Sequence, residues 1–191
     1  MKKLWAILMA LLLVGGALAE GAFSLENGVT WGMTEGDVLA IEGTADTEFA
    51  NYSGFETLEV DDVAFRGHEA DVSYLFVNDA LLMVAYELDI EDVDPAALVQ
   101  QLDGEYGAHV DDKGAAYYSF ISRLTGTLYT MQPQVSGIGV NWTLPDGTLA
   151  TLLTGLKGAD DDDITVIYIN AGASRWNEDV ALSEPAPALE D

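Results

Sequence analysis

The chain has 191 residues, with 33 Asp and Glu against 7 Lys and Arg, and no Cys. The lack of cysteine excludes disulfides, thiol catalysis, Cys-ligated zinc, iron–sulfur clusters and a lipid-modified N-terminal Cys. The acid excess argues against nucleic acid, whose phosphates need clustered Lys and Arg, and against an anionic membrane surface; 49% hydrophobic residues suffice for a packed core.

Residues 1–19 read as a secretory signal peptide of bacterial type. Lys2 and Lys3 form a charged start, Leu4 to Val14 is apolar, and Ala17, Leu18 and Ala19 form a small-residue cleavage site. The apolar run is shorter than the roughly 20 residues a span requires. Cleavage after Ala19 is therefore expected, giving a secreted or extracytoplasmic protein that starts at Glu20, with no stable membrane insertion thereafter. It leaves five basic residues against 33 acidic ones, a formal charge of −28 over 172 residues.

The mature chain opens with a short helix over 34–42. Thr34 suits its N-cap, Asp37 stands three residues on as in a capping box, Val38 and Ile41 share one face, and Gly43 suits the stop. The polar stretch 44–56 reads as a loop. Strands are predicted over 57–65, 70–77 and 81–88, separated by Arg66-Gly67 and Asn78-Asp79. The third carries apolar residues on both faces and reads as central.

An acidic connector, 89–94, leads to a second helix with Asp94 as N-cap and Pro95 in its first turn. Leu98, Leu102 and Tyr106 form its stripe, and Gly107 ends it. Ala116, Phe120 and Leu124 repeat the i, i+4 spacing and favour a third helix over 115–124, with a strand as the alternative because of the aromatic content. Residues 125–135 are irregular. Strands over 138–144 and 148–154 flank the hairpin signal Pro145, Asp146, Gly147, and the β-branched run 164–170 forms a further strand after an acidic turn. Residues 171–191 read as a flexible acidic tail.

This order predicts an α+β protein: two α-β-β-β units, about 30–88 and 94–170, in one compact region 20–170. The short connections make the sheet antiparallel, with the helices packed on one face. Trp31, between Gly28 and Thr34, reads as a core residue docking the first helix.

The segment Thr30, Trp31, Gly32, Met33, Thr34, with Asp37, Val38 and the closing Gly43, resembles the opening of the BamE-like and β-lactamase-inhibitor-protein-like superfamily. That resemblance implies tandem units of helices followed by antiparallel strands, in exported proteins that bind other proteins. The chain lacks both the lipid-anchor Cys of the BamE lipoproteins and the disulfides of the secreted inhibitors.

No catalytic residue is assigned. The two histidines, His68 and His109, lie beside a strand and after a helix, and no G-x-S-x-G is present. His68-Glu69 lacks the second His of a metalloprotease helix, and Gly137-Ile138-Gly139 lacks the rest of a dinucleotide fingerprint. No cofactor is expected. Two acidic runs are the candidate metal ligands: Asp89 to Asp94, and Asp160, Asp161, Asp162 and Asp163. The first has Asp94 where an EF-hand loop needs Gly, and a glutamine where it needs Glu. Both read better as solvated strand ends.

Aromatic residues supply the partner-binding candidates. If Tyr74, Tyr86, Tyr129 and Trp142 share an open sheet face, they form a protein- or glycan-binding patch; their side depends on strand register. The expected function is a secreted, non-catalytic protein whose sheet face binds a protein or a cell-envelope component. The alternative is an acidic Ca²⁺- or cation-binding secreted module, and a small hydrolase is third. Exposed aromatics favour the first, a carboxylate cage the second, and a His–acid pair inside a pocket the third.

Overall fold

A computed structural model describes residues 23–43, 47–52, 55–125, 135–156 and 163–172. Residues 1–19, read from the sequence as a signal peptide, residues 173–191, read as a tail, Tyr129 and Asp160 to Asp162 lie outside the described residues. Helix α1 spans Glu35–Glu42 and is followed by strands β1 (Thr47–Tyr52), β2 (Phe55–Phe65), β3 (His68–Val77) and β4 (Ala80–Asp89). Then come α2 (Pro95–Tyr106), the two-residue β5 (Val110–Asp111), α3 (Ala115–Thr125), β6 (Gly139–Thr143), β7 (Leu149–Thr154) and β8 (Asp163–Ile169).

All eight strands form one antiparallel sheet in the order β1-β2-β3-β4-β8-β7-β6-β5. The fold is mixed α+β and dominated by this sheet. Strand β4 is central, against β8, as its two apolar faces suggest.

The halves are not the α-β-β-β units expected from the sequence. Strand β1 lies within the stretch read as loop; it is polar and takes its shape from pairing with β2, Thr47 opposite Val60 through Tyr52 opposite Phe55. In the second half, β5 and α3 come between α2 and β6. Strand β2 carries a bulge between Val60 and Val63; Asp62 there has φ 56°, and its backbone N–H donates to Asp71 Oδ1 at 3.1 Å.

The caps follow the sequence closely. Thr34 and Asp37 form the reciprocal capping box of α1. Asp94 accepts from the Ala96 N–H at the head of α2, next to Pro95. Helices α1 and α2 both end at a glycine with positive φ, Gly43 at 92° and Gly107 at 88°. Only Val38 of α1 is buried; Ile41, expected on the same face, is exposed.

Two cores sit on opposite faces of the sheet. Under α1, α2 and the segment 23–33 lie Leu58, Val72, Tyr74, Val84, Val166 and Tyr168. On the other face, Phe120 and Leu124 of α3 meet Leu75, Leu153, Ile167 and Ile169. The expectation of helices on one face therefore fails for α3. Alternate residues of β7 and β8 are buried on both sides, so the second side needs its own cover. Beyond α3 that second face carries the exposed carboxylates Glu59, Asp71 and Glu87.

Trp31 is half-buried, and its contacts differ from those expected. Its ring stacks on Phe23 at 4.4 Å, and its Nε1–H donates to Thr148 Oγ1 at 2.8 Å. The Phe23 N–H donates to Asp146 Oδ2 at 2.8 Å. Trp31 thus ties the N-terminal segment to the β6–β7 turn.

Candidate functional site

The first-face tyrosines set the geometry. Register places Tyr74 opposite Leu58 and Val84, and Tyr86 opposite Val72 and Val166, so both point beneath α1 and α2. Tyr74, Tyr86 and Trp142 are all buried, at 0%, 5% and 2% exposure. They form no open aromatic patch, which corrects the sequence expectation: each shares its face with the apolar rows that the helices cover.

Tyr74 and Tyr86 instead line a cavity of about 490 Å³, together with Tyr106 and Tyr168. Its buried floor is Tyr74, Tyr86 and Tyr168; its exposed rim includes Ser24, Glu26 and Asn27. Phe65 stacks on Tyr86 at 4.3 Å, and Tyr168 meets the edges of both Tyr86 and Tyr106.

Arg66 brings a cation to this wall. It sits in the β2–β3 turn with φ 54°, followed by Gly67 at 86°, the pair of positive angles a tight hairpin demands. One Nη1–H donates to Glu26 Oε1 at 3.0 Å. Nη2 donates to Glu105 Oε2 at 2.8 Å and to the Tyr106 hydroxyl at 2.7 Å. Nε is buried with no hydrogen-bond partner among the described residues. Burial opposes the guanidinium charge, but the Tyr106 and Tyr168 phenols and Glu105 outweigh it and hold its pKa above the ordinary value.

Glu42, the last residue of α1, accepts from the Tyr74 hydroxyl and from the Asn27 amide, which also reaches the Tyr74 oxygen at 3.2 Å. Burial pushes the phenol of Tyr74 well above its usual range, reinforced by Glu42. Burial does the same at Tyr86 and Tyr168. These hydroxyls stay protonated at physiological pH and serve as neutral donors and acceptors.

A second polar cluster lies at the same C-terminal end of α2, outside the cavity lining. His109 Nδ1 is 2.9 Å from Asp103 Oδ1, and Trp142 Nε1–H donates to the same oxygen at 3.0 Å and to the Gly107 carbonyl at 3.0 Å. Those hydrogen bonds, His109 first, hold the Asp103 carboxyl below the usual range. Neither histidine lines the cavity.

The acidic candidates have local structural work. Asp94 caps α2, Asp89 Oδ1 accepts from the Glu91 N–H at 2.7 Å, and Asp163 lies opposite Asp89 at the β4–β8 end. Among the described residues no group of three or more His, Asp or Glu is placed to hold a metal. Gly137 and Gly139 mark close chain approach: a Cβ on Gly139 would lie 2.6 Å from the Lys113 carbonyl carbon.

Sequence reasoning missed Arg66, Glu42, Tyr106 and Tyr168 as site residues. Tyr106 and Tyr168 were visible only as core positions. Arg66 carried a usable signal, as one of five Lys and Arg residues beyond position 19 in an acidic chain. Comparisons with protein-family models, with curated proteins and with solved structures gave no match.

Proposed function

We propose that the chain is a secreted, non-catalytic binding protein whose ligand, a protein or cell-envelope component, enters the tyrosine-walled cavity. The observation that carries this reading is the combination of a buried phenolic floor, a polar exposed rim and an arginine held among carboxylates. Such a site offers shape and a few converging polar groups, which is what ligand pockets supply. In this reading the aromatic residues still serve binding, through a cleft beneath the helices instead of an open sheet face.

The same reading treats the fold as a duplicated unit of a helix and four strands. The order 1-2-3-4-8-7-6-5 is what a two-fold relation between β4 and β8 would produce. Helices α1 and α2 enter with side-chain N-caps, bury the fourth helical residue (Val38 and Leu98), and leave through glycines of matching conformation. This agrees with the resemblance of the 30–38 segment to the BamE-like and β-lactamase-inhibitor-protein-like superfamily. The cavity then lies where the two units meet.

The test is affinity capture from the producing culture with the protein from Glu20 onward. Wild type and Ser24→Trp, which fills the mouth from an exposed position, are compared side by side. Material retained by wild type and lost from the variant supports the reading. Equal retention by both would remove the cavity from it.

A further inference from the structure

The ends of two helices meet at the cavity: Glu42 closes α1 and Tyr106 closes α2. A helix C-terminus carries a partial negative charge of about half an elementary charge and favours a cation. Neither helix has a basic residue in its last turn. At α2 the need is met from outside, by Arg66 on Glu105 and Tyr106. At α1, among the described residues, it is not: Glu42 there meets the neutral Tyr74 hydroxyl and Asn27 amide.

Arg66 cannot serve both ends, since Glu26 and Glu105 already hold it. Among the lining residues, Glu26 and Glu42 stand against Arg66, leaving one carboxylate in excess. An anion would face that excess and the acidic chain around it. A hard divalent ion asks for six or more oxygens in one shell, and among the described residues no three His, Asp or Glu side chains come together to anchor one. An ammonium group asks for less: one carboxylate, hydroxyl oxygens and aromatic rings. Glu42, Tyr74, Tyr86 and Phe65 supply these among the residues that line the cavity.

From this we infer that the cavity takes a hydroxylated amine, its ammonium group against Glu42 and its hydroxyl groups toward the phenols and the polar rim of Ser24 and Asn27. The inference rests on the cavity being the binding site. The amine can be a free small molecule or a terminal unit of an envelope polymer, and the chemistry is the same.

The experiment titrates the Glu20-onward protein, slightly below neutral pH and at constant ionic strength, with glucosamine, glucose and N-acetylglucosamine, by calorimetry and chemical-shift mapping. Glucosamine should bind, with shifts at Glu42 and Arg66. The two neutral sugars should bind about tenfold to a hundredfold more weakly, as expected for loss of one charged hydrogen bond. Glu42→Gln should erase the difference. If that variant does not fold, the wild-type comparison alone decides. An envelope polymer bearing free amines, tested before and after N-acetylation, separates the two sources. Equal binding of all three sugars, or a preference for glucosamine that survives Glu42→Gln, would overturn the amine assignment and leave the cavity as a site. Failure of every probe while capture remains sensitive to Ser24→Trp would overturn the assignment alone. Failure of every probe with capture insensitive to that change would end both readings.

Discussion

The Arg66 guanidinium and the Tyr106 hydroxyl meet at 2.7 Å, joining the β2–β3 turn of the first half to the last turn of α2 in the second. Arg66 also holds Glu26 of the N-terminal segment, so one side chain pins three separate pieces of chain around the cavity.

Removing that pin should loosen the cavity wall without dissolving the sheet. Arg66→Ala should lower stability by about 1.5–3 kcal/mol, the range for hydrogen bonds to charged groups. Arg66→Lys should recover only part of this, because an ammonium group cannot reproduce the planar fork. Urea denaturation midpoints with an unchanged slope measure both.

Trp31 offers a second, independent clamp. Trp31→Phe keeps the stacking on Phe23 and loses the bond to Thr148, at an expected cost of about 0.5–1.5 kcal/mol. A double-mutant cycle with Thr148→Val should show that the two changes do not add.

Two glycines should respond with opposite sign. Gly139→Ala forces a methyl group into the Lys113–Gly114 backbone and should destabilise by about 1–3 kcal/mol. Gly104, inside α2, has nothing within 4 Å of the added carbon. Gly104→Ala should stabilise by about 0.5–1 kcal/mol. Thermal unfolding of the pair reads both.

Alkaline pH should unfold the protein through its buried phenols. In the unfolded chain tyrosine ionises near pH 10 (about), whereas burial raises Tyr74, Tyr86 and Tyr168 above that. A raised folded pKa means the unfolded state sheds protons first. Stability is then intact below about pH 10 and falls above it, by about 1.4 kcal/mol per pH unit for each phenol. Phenolate absorbance should show these three of the eight tyrosines titrating only as the far-ultraviolet circular dichroism is lost.

Local chemistry made much of the fold legible. Thr34, Asp94, Pro95, Gly43 and Gly107 mark helix ends through short-range hydrogen bonds and backbone preference. Asn78-Asp79 and Asp146-Gly147 mark turns in the same way. Strand β1 was hidden because an edge strand borrows its structure from β2. The second core was hidden because β8 reads as apolar on both sides, which does not say where its two covers lie in the chain. The site was hidden for a register reason: a one-residue slip would turn Tyr74 and Tyr86 outward, and no local pattern excludes it. Arg66, Glu42 and Tyr106 are brought together only by the closed fold.

Chemical-shift mapping of the captured component onto the ¹⁵N-labelled protein from Glu20 onward tests the binding site most directly. The cavity reading expects perturbations at Ser24 to Asn27, Glu42, Arg66 and Tyr106, with the opposite sheet face silent. Perturbations centred on Glu59, Asp71 and Glu87, with the cavity residues unmoved, would contradict it.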